Sequence, residues 1–303
     1  MTTFAFRINC LLSGDHIETM EPSIAVALPA PGPELKVLLQ EVHERTAARS
    51  LILWSGGFAS EDEARTAGAP VQRAVMLAGL MLGVGIDVGT DQVVSPAARR
   101  KDGEPDAHLQ PDVHGLQIVP QLKGEMLFGF LRVDRPLKRI PPGDFAKKVT
   151  ECYAFDRPLT KKQVLAAQLY NQSHFYSSDA GRFLTLISAV EALVEQTSKS
   201  DAAVALVESM IEVARAKDDL SEPERESLCN GLRELRRQSI SASCRKLVHT
   251  HCGETAEEDF GRAYKIRSTM LHRGEPPPGI DLMSECLGLD GIVRRLVVAH
   301  LSD

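Results

Sequence analysis

Tyr264-Lys265-Ile266-Arg267-Ser268-Thr269-Met270-Leu271-His272-Arg273-Gly274 closes a segment that reads as an amphipathic helix ending at a glycine. Working back from it, Thr255 at the N-cap with Glu258 three residues on predicts a capping box, and Phe260, Ala263, Tyr264, Met270 and Leu271 form the apolar stripe. Arg267 falls inside that stripe. A guanidinium cannot shed its proton, so on a packing face it must be paired or must meet a partner, a substrate or water.

Around this stretch the second half of the chain reads as helix throughout. Amphipathic segments are expected at 160–176, 179–197, 201–217, 222–249, 255–273 and 281–301, with a further capping box at Ser221 and Glu224, and a firm stop where Gly274 is followed by prolines at 276–278. Residues 155–303 are therefore predicted to be an all-α bundle. The first half is mixed: strands at 4–12, 23–28 and 50–54, a helix at 34–48, and a helix opening near Ser60 with Glu61, Asp62 and Glu63 in its first turn. Gly68 is expected to interrupt that helix, with Pro70 starting another that runs to Leu82. A charged, Pro- and Gly-containing loop at 95–112, strands at 115–119 and 126–133, and a proline-rich boundary at 135–144 complete an α+β domain over 1–145.

At 303 residues the chain is long for one hydrophobic core, and its 43% hydrophobic and 25% charged residues are those of an ordinary globular protein. A formal charge of −6 argues against nonspecific binding to long duplexes, which is built from many Lys and Arg contacts to phosphate. The start of the chain lacks signal-peptide features, and the longest apolar run, 75–86, is too short to span a bilayer; the expectation is a cytoplasmic protein with no membrane contact. Six cysteines without paired spacing read as free thiols.

On helix 179–197, Phe183, Ile187, Val190 and Val194 make an apolar stripe with Glu191 beside it. A carboxylate and a guanidinium thus both occupy faces meant for packing, and pairing between Glu191 and Arg267 would fix the helix register. His272 lies five residues beyond Arg267, about 140° around an unbroken helix. The two side chains would converge only if the last turn loosens before Gly274 or if a twofold axis brings in a second copy.

Arg267-Ser-Thr-Met-Leu-His272, preceded by Tyr264-Lys-Ile and followed by Arg-Gly, together with Ser188-Ala-Val-Glu191-Ala-Leu-Val, resembles the HEPN superfamily, especially its Apea-like branch, over roughly residues 155–303. The resemblance implies a metal-independent endoribonuclease working as a homodimer through the C-terminal bundle, in a toxin or defence setting, with RNA as substrate, no cofactor and a regulatory partner yet to be identified. It assigns His272 as acid/base and Arg267 as the stabiliser of charge on phosphorus oxygens, supported by Glu191, Ser268 and Tyr264. Ser268 stands where many active members carry Asn, Asp or His. The other implied reading is a binding or scaffolding module that keeps the fold without cleavage.

Arg233, Arg236, Arg237, Arg245 and Lys246 give the 222–249 segment a basic character; it is a solvated face or, with Arg233, Arg237 and Arg273, a track for an RNA strand. Cys244, His249, His251 and Cys252 match no common metal-ligand spacing, so no metal site is expected. Gly83, Gly85 and Gly89 follow a helix, where a dinucleotide fingerprint would follow a strand, and read as a turn feeding a strand. Phe175 and Tyr176 are expected in the core or an interface.

Overall fold

The computed structural model describes residues 3–13, 16–17, 23–29, 34–41, 48–89, 115–120, 139–155, 157–176 and 178–302. The chain divides into two compact units, Met1–Thr185 and Leu186–Asp303. The loop at 95–112, the strand at 126–133 and most of the 135–144 boundary lie outside the described residues.

The first unit is built on an eight-stranded, almost entirely antiparallel sheet: β1 (Phe4–Leu12), β2 (His16–Ile17), β3 (Ser23–Val26), β4 (Leu35–Glu41), β5 (Ala48–Phe58), β6 (Ile86–Asp87), β7 (Gly115–Pro120) and β8 (Arg139–Ile140). The central order is β3-β4-β5-β1, and the far edge of β1 is shared by β7, opposite Phe4–Asn9, and β6, opposite Leu11–Leu12. β2 pairs in parallel with β8.

The helix expected at 34–48 is instead strand β4. Leu35 and Val37 are buried on either side of exposed Lys36, the two-residue alternation of a half-covered strand, and pairing to both β3 and β5 outweighs the local helix preference. The two helices expected around Gly68 and Pro70 are one continuous α1 (Glu61–Leu82). Pro70 removes one backbone bond, but near-continuous burial from Ala64 to Leu80 carries the helix through it. Gly68 is there for closeness: a Cβ at that site would stand 2.7 Å from Leu116 Cδ1 and 3.0 Å from Phe6 Cγ, so α1 lies directly on the sheet. Ser60 caps the start by accepting from the Glu63 N–H, and Gly83 ends it at φ 65°, the left-handed turn that feeds β6.

Two further helices, α2 (Pro142–Tyr153), which the sequence reading did not anticipate, and α3 (Lys161–Ser173), pack on α1 and belong with the sheet, whereas the sequence reading began the helical half at 155. Asn171 on α3 is buried and donates to the carbonyls of Met76 and Ala167 while accepting from the Ile86 N–H. Phe175 and Tyr176 are exposed rather than in a core.

α4 (Asp179–Leu193) carries the division between units. The second unit holds the end of α4 together with α5 (Asp201–Arg215), α6 (Glu222–Glu234), α7 (Ile240–Cys252), α8 (Glu254–Arg273) and α9 (Leu282–Ser302). The single helix expected at 222–249 is two. Ser239 caps α7 by accepting from the Ala242 N–H, and the 236–238 backbone pairs with the α4–α5 linker: Lys199 donates to Arg236 O (2.8 Å), Gln238 to Thr197 O (2.9 Å), and Ser198 and Arg237 form an antiparallel bridge. Glu224 does reach back to the Ser221 N–H, as the capping pattern requires. α7, α8 and α9 pack together around Val248, Phe260, Ile266, Val293 and Val297.

Candidate functional site

α8 begins one residue earlier than expected. Gly253 occupies the N-cap without a side-chain cap, so the Thr255–Glu258 box is not formed; both residues lie inside the helix and are exposed. The buried stripe is Ala256, Phe260, Ala263, Ile266 and Met270. Tyr264 lies at its edge, half-buried, and Leu271, expected in the stripe, is 56% exposed because it falls a full residue past the covered face.

Arg267 sits one position beyond buried Ile266 and is met from α4 by Glu191. Their closest approach is 3.2 Å from Nη2 to Oε1, with a second contact of 3.3 Å to Oε2. Tyr264, one turn earlier on α8, donates its hydroxyl to Glu191 Oε1 at 2.8 Å, and its ring lies 5.3 Å from Arg267 Cζ. The three groups form a closed triangle of carboxylate, phenol and guanidinium. Burial first, then the Glu191 hydrogen bond and charge, push the Tyr264 hydroxyl up to about 12, while Arg267 pulls the other way. The phenol is therefore a fixed donor at neutral pH.

The pairing uses only one corner of the guanidinium. Both contacts run from Nη2, and among the described residues Nε and Nη1 make no hydrogen bond; the side chain is 28% exposed. Arg267 is thus held by one nitrogen with its other donors available.

Cys244 on α7, not foreseen as part of this site, is fully buried beside it: burial first and the Glu191 charge second raise its thiol to about 12, opposed by Arg267. That makes it an inert wall. A buried cysteine on the α7 stripe gives little signal in sequence, since it packs as any small apolar residue does.

His272 is not brought to Arg267 within one chain. α8 remains helical through Arg273, and the Gly274 N–H, at φ 78°, donates to Met270 O at 2.8 Å, so the last turn does not loosen. His272 and Arg273 are exposed, and Ser268 is half-buried. Of the three arginines read as an RNA track, Arg233 bonds Asn230 on α6, exposed Arg237 lies in the α6–α7 linker and Arg273 ends α8, so they occupy three different elements.

The Cys and His residues weighed for metal binding go elsewhere. His249 meets Glu257 at 3.0 Å, His251 stacks on His300 with ring centres 5.7 Å apart, and Cys252 reaches the Ile292 carbonyl. Among the described residues no group of three or more His, Cys, Asp or Glu is placed to hold an ion, and no helix is long and apolar enough to cross a membrane.

No protein-family profile, curated protein or solved structure matches the chain.

Proposed function

We propose that the helical unit is a HEPN-like, metal-independent endoribonuclease that acts as a homodimer, in a toxin or defence setting. The observation that supports it is Arg267: a guanidinium fixed at one corner by Glu191 and Tyr264, with its remaining donors open, on the same helix end as an exposed imidazole. In this reading the ribose 2′-oxygen attacks the adjacent phosphorus and the 5′-oxygen leaves, giving a 2′,3′-cyclic phosphate. His272 moves the proton, and Arg267 bears the charge gathering on the phosphorus oxygens. A planar, permanently charged fork suits that load, and prior anchoring leaves little of it to be ordered during reaction.

Because α8 is unbroken, about 140° of helix and roughly 7.5 Å of rise separate the two side chains, so the reading requires a second copy to supply His272 to this copy's Arg267. Exposed Leu271, next to His272, gives the apolar contact such pairing needs.

A second reading, a non-catalytic binding or scaffolding module, is favoured by a different observation: the Glu191–Tyr264–Arg267 triangle is complete without His272. Mixed RNA incubated in EDTA with wild type, His272→Ala and Arg267→Ala distinguishes them. The nuclease reading expects cyclic-phosphate ends from wild type and a loss of about a hundredfold or more in His272→Ala. Equal product from the two overturns it, and a wild-type dimer that binds RNA without cutting it establishes the binding module instead.

A further inference from the structure

The α5–α6 pair presents an apolar groove for which this chain supplies no occupant. α5 and α6 are joined by residues 216–221 and pack on each other as an antiparallel hairpin through Val207, Ile211, Ala214, Cys229 and Leu232. That inner core is thin. One residue before each of its α5 members stands an exposed one: Leu206 (62%), Met210 (48%) and Val213 (62%). α6 repeats the pattern, with Leu228 (47%) before Cys229, Gly231 before Leu232, and Leu235 (49%) a turn later.

A step of one residue turns the helix by about 100°. In two antiparallel helices that face each other, stepping back by one turns both toward the same side, because reversing the axis reverses the sense of rotation. The two exposed stripes therefore flank one groove. Gly231 opens its α6 wall, since a Cβ there would have nothing within 4 Å. Five large apolar side chains spaced over two turns or more match what an amphipathic helix lays into a groove.

Charge selects the occupant. Residues 201–234 hold nine acidic side chains against four basic ones, a net −5 within a chain whose total is −6. Two such hairpins repel, which disfavours a second copy at this face, and an RNA strand is disfavoured for the same reason. We propose that the α5–α6 groove docks a basic amphipathic helix from a partner protein, its apolar face seated between Leu206, Met210, Val213 and Leu228, Leu235, its Lys and Arg side chains facing the surrounding acids. Docking here leaves α8 and its Arg267 untouched, so it stands apart from the nuclease reading.

The test uses the full chain and three labelled peptides of about 20 residues: an amphipathic Leu/Lys helix, the same residues scrambled, and an amphipathic Leu/Glu helix. Anisotropy should show saturable binding of the first, weaker by about tenfold or more for the other two and for the chain carrying Leu206→Ser and Val213→Ser. Both substituted positions are exposed, and an unchanged circular dichroism melt establishes that the doubly substituted chain is folded. Absence of saturable binding, equal binding of the Leu/Glu helix, or no effect of the double substitution overturns the proposal. Self-association of wild type that the double substitution abolishes also overturns it, by making a second copy the occupant.

Discussion

Asn171 in the sheet unit and Arg267 in the helical unit are both polar groups set among apolar neighbours, and they solve that problem in opposite ways. Asn171 is 2% exposed and spends its amide on backbone alone: two carbonyls from α1 and α3 and the N–H that opens β6. Nothing is left over for a ligand. Arg267 binds only side chains, through one nitrogen, and keeps donors in reach of water. A buried polar group whose capacity is filled serves the fold, whereas one filled at a single corner can also serve chemistry.

If that contrast holds, the closed site carries the larger stability cost. Asn171→Leu orphans the Ile86 N–H and leaves the pocket over-filled, so urea unfolding should place it about 3 kcal/mol below wild type. A loss no greater than that of Glu191→Gln would erase the distinction. Glu191→Gln keeps an acceptor for Tyr264 but removes the charge facing Arg267. With the pair about a quarter exposed, a loss of roughly 1–2 kcal/mol is expected in the same measurement.

Tyr264→Phe sharpens the comparison through pH. The folded-state pKa of Tyr264 is raised from 10.0 to about 12, so its contribution is present in full below pH 10 and is lost as pH rises toward 12. Wild type should therefore lose stability over that window more steeply than Tyr264→Phe, which at neutral pH costs about 1 kcal/mol. Melts at stepped pH read both. The smallest effect belongs to His272→Ala: an exposed side chain without a described partner should change unfolding free energy by less than about 0.5 kcal/mol. A larger loss would make His272 a structural residue and remove it from the catalytic reading.

The helical half was largely legible because a 3.6-residue period repeats from 161 onward and its ends carry Thr160, Ser200, Ser221 and Gly274. The presence of both Glu191 and Arg267 on apolar faces was readable from the same period. Failures came where tertiary partners decide. β4 is a strand because two neighbours pair with it, and the helix expected at 222–249 breaks because a distant linker competes for its backbone. Gly68 looked like an interruption and is instead a close contact, since spacing alone does not show that a sheet lies within 3 Å. Leu271 and the Thr255 cap failed by a single residue of helix phase, enough to move a side chain from packing to solvent.

The bridge between Ser198 and Arg237 gives the α5–α6 hairpin a stem. Thr197 and Gln238 are already hydrogen-bonded at 2.9 Å, so the chain departs and returns at one point, and everything between is a detour from the route linking α4 to α7. Such a detour behaves as a cassette: residues 199–236 could be cut out and the ends rejoined by a tight turn, or a different hairpin spliced in, without redirecting the helices that carry Glu191 and Arg267. Whatever the hairpin recognises can thus be exchanged independently of what the rest of the bundle does.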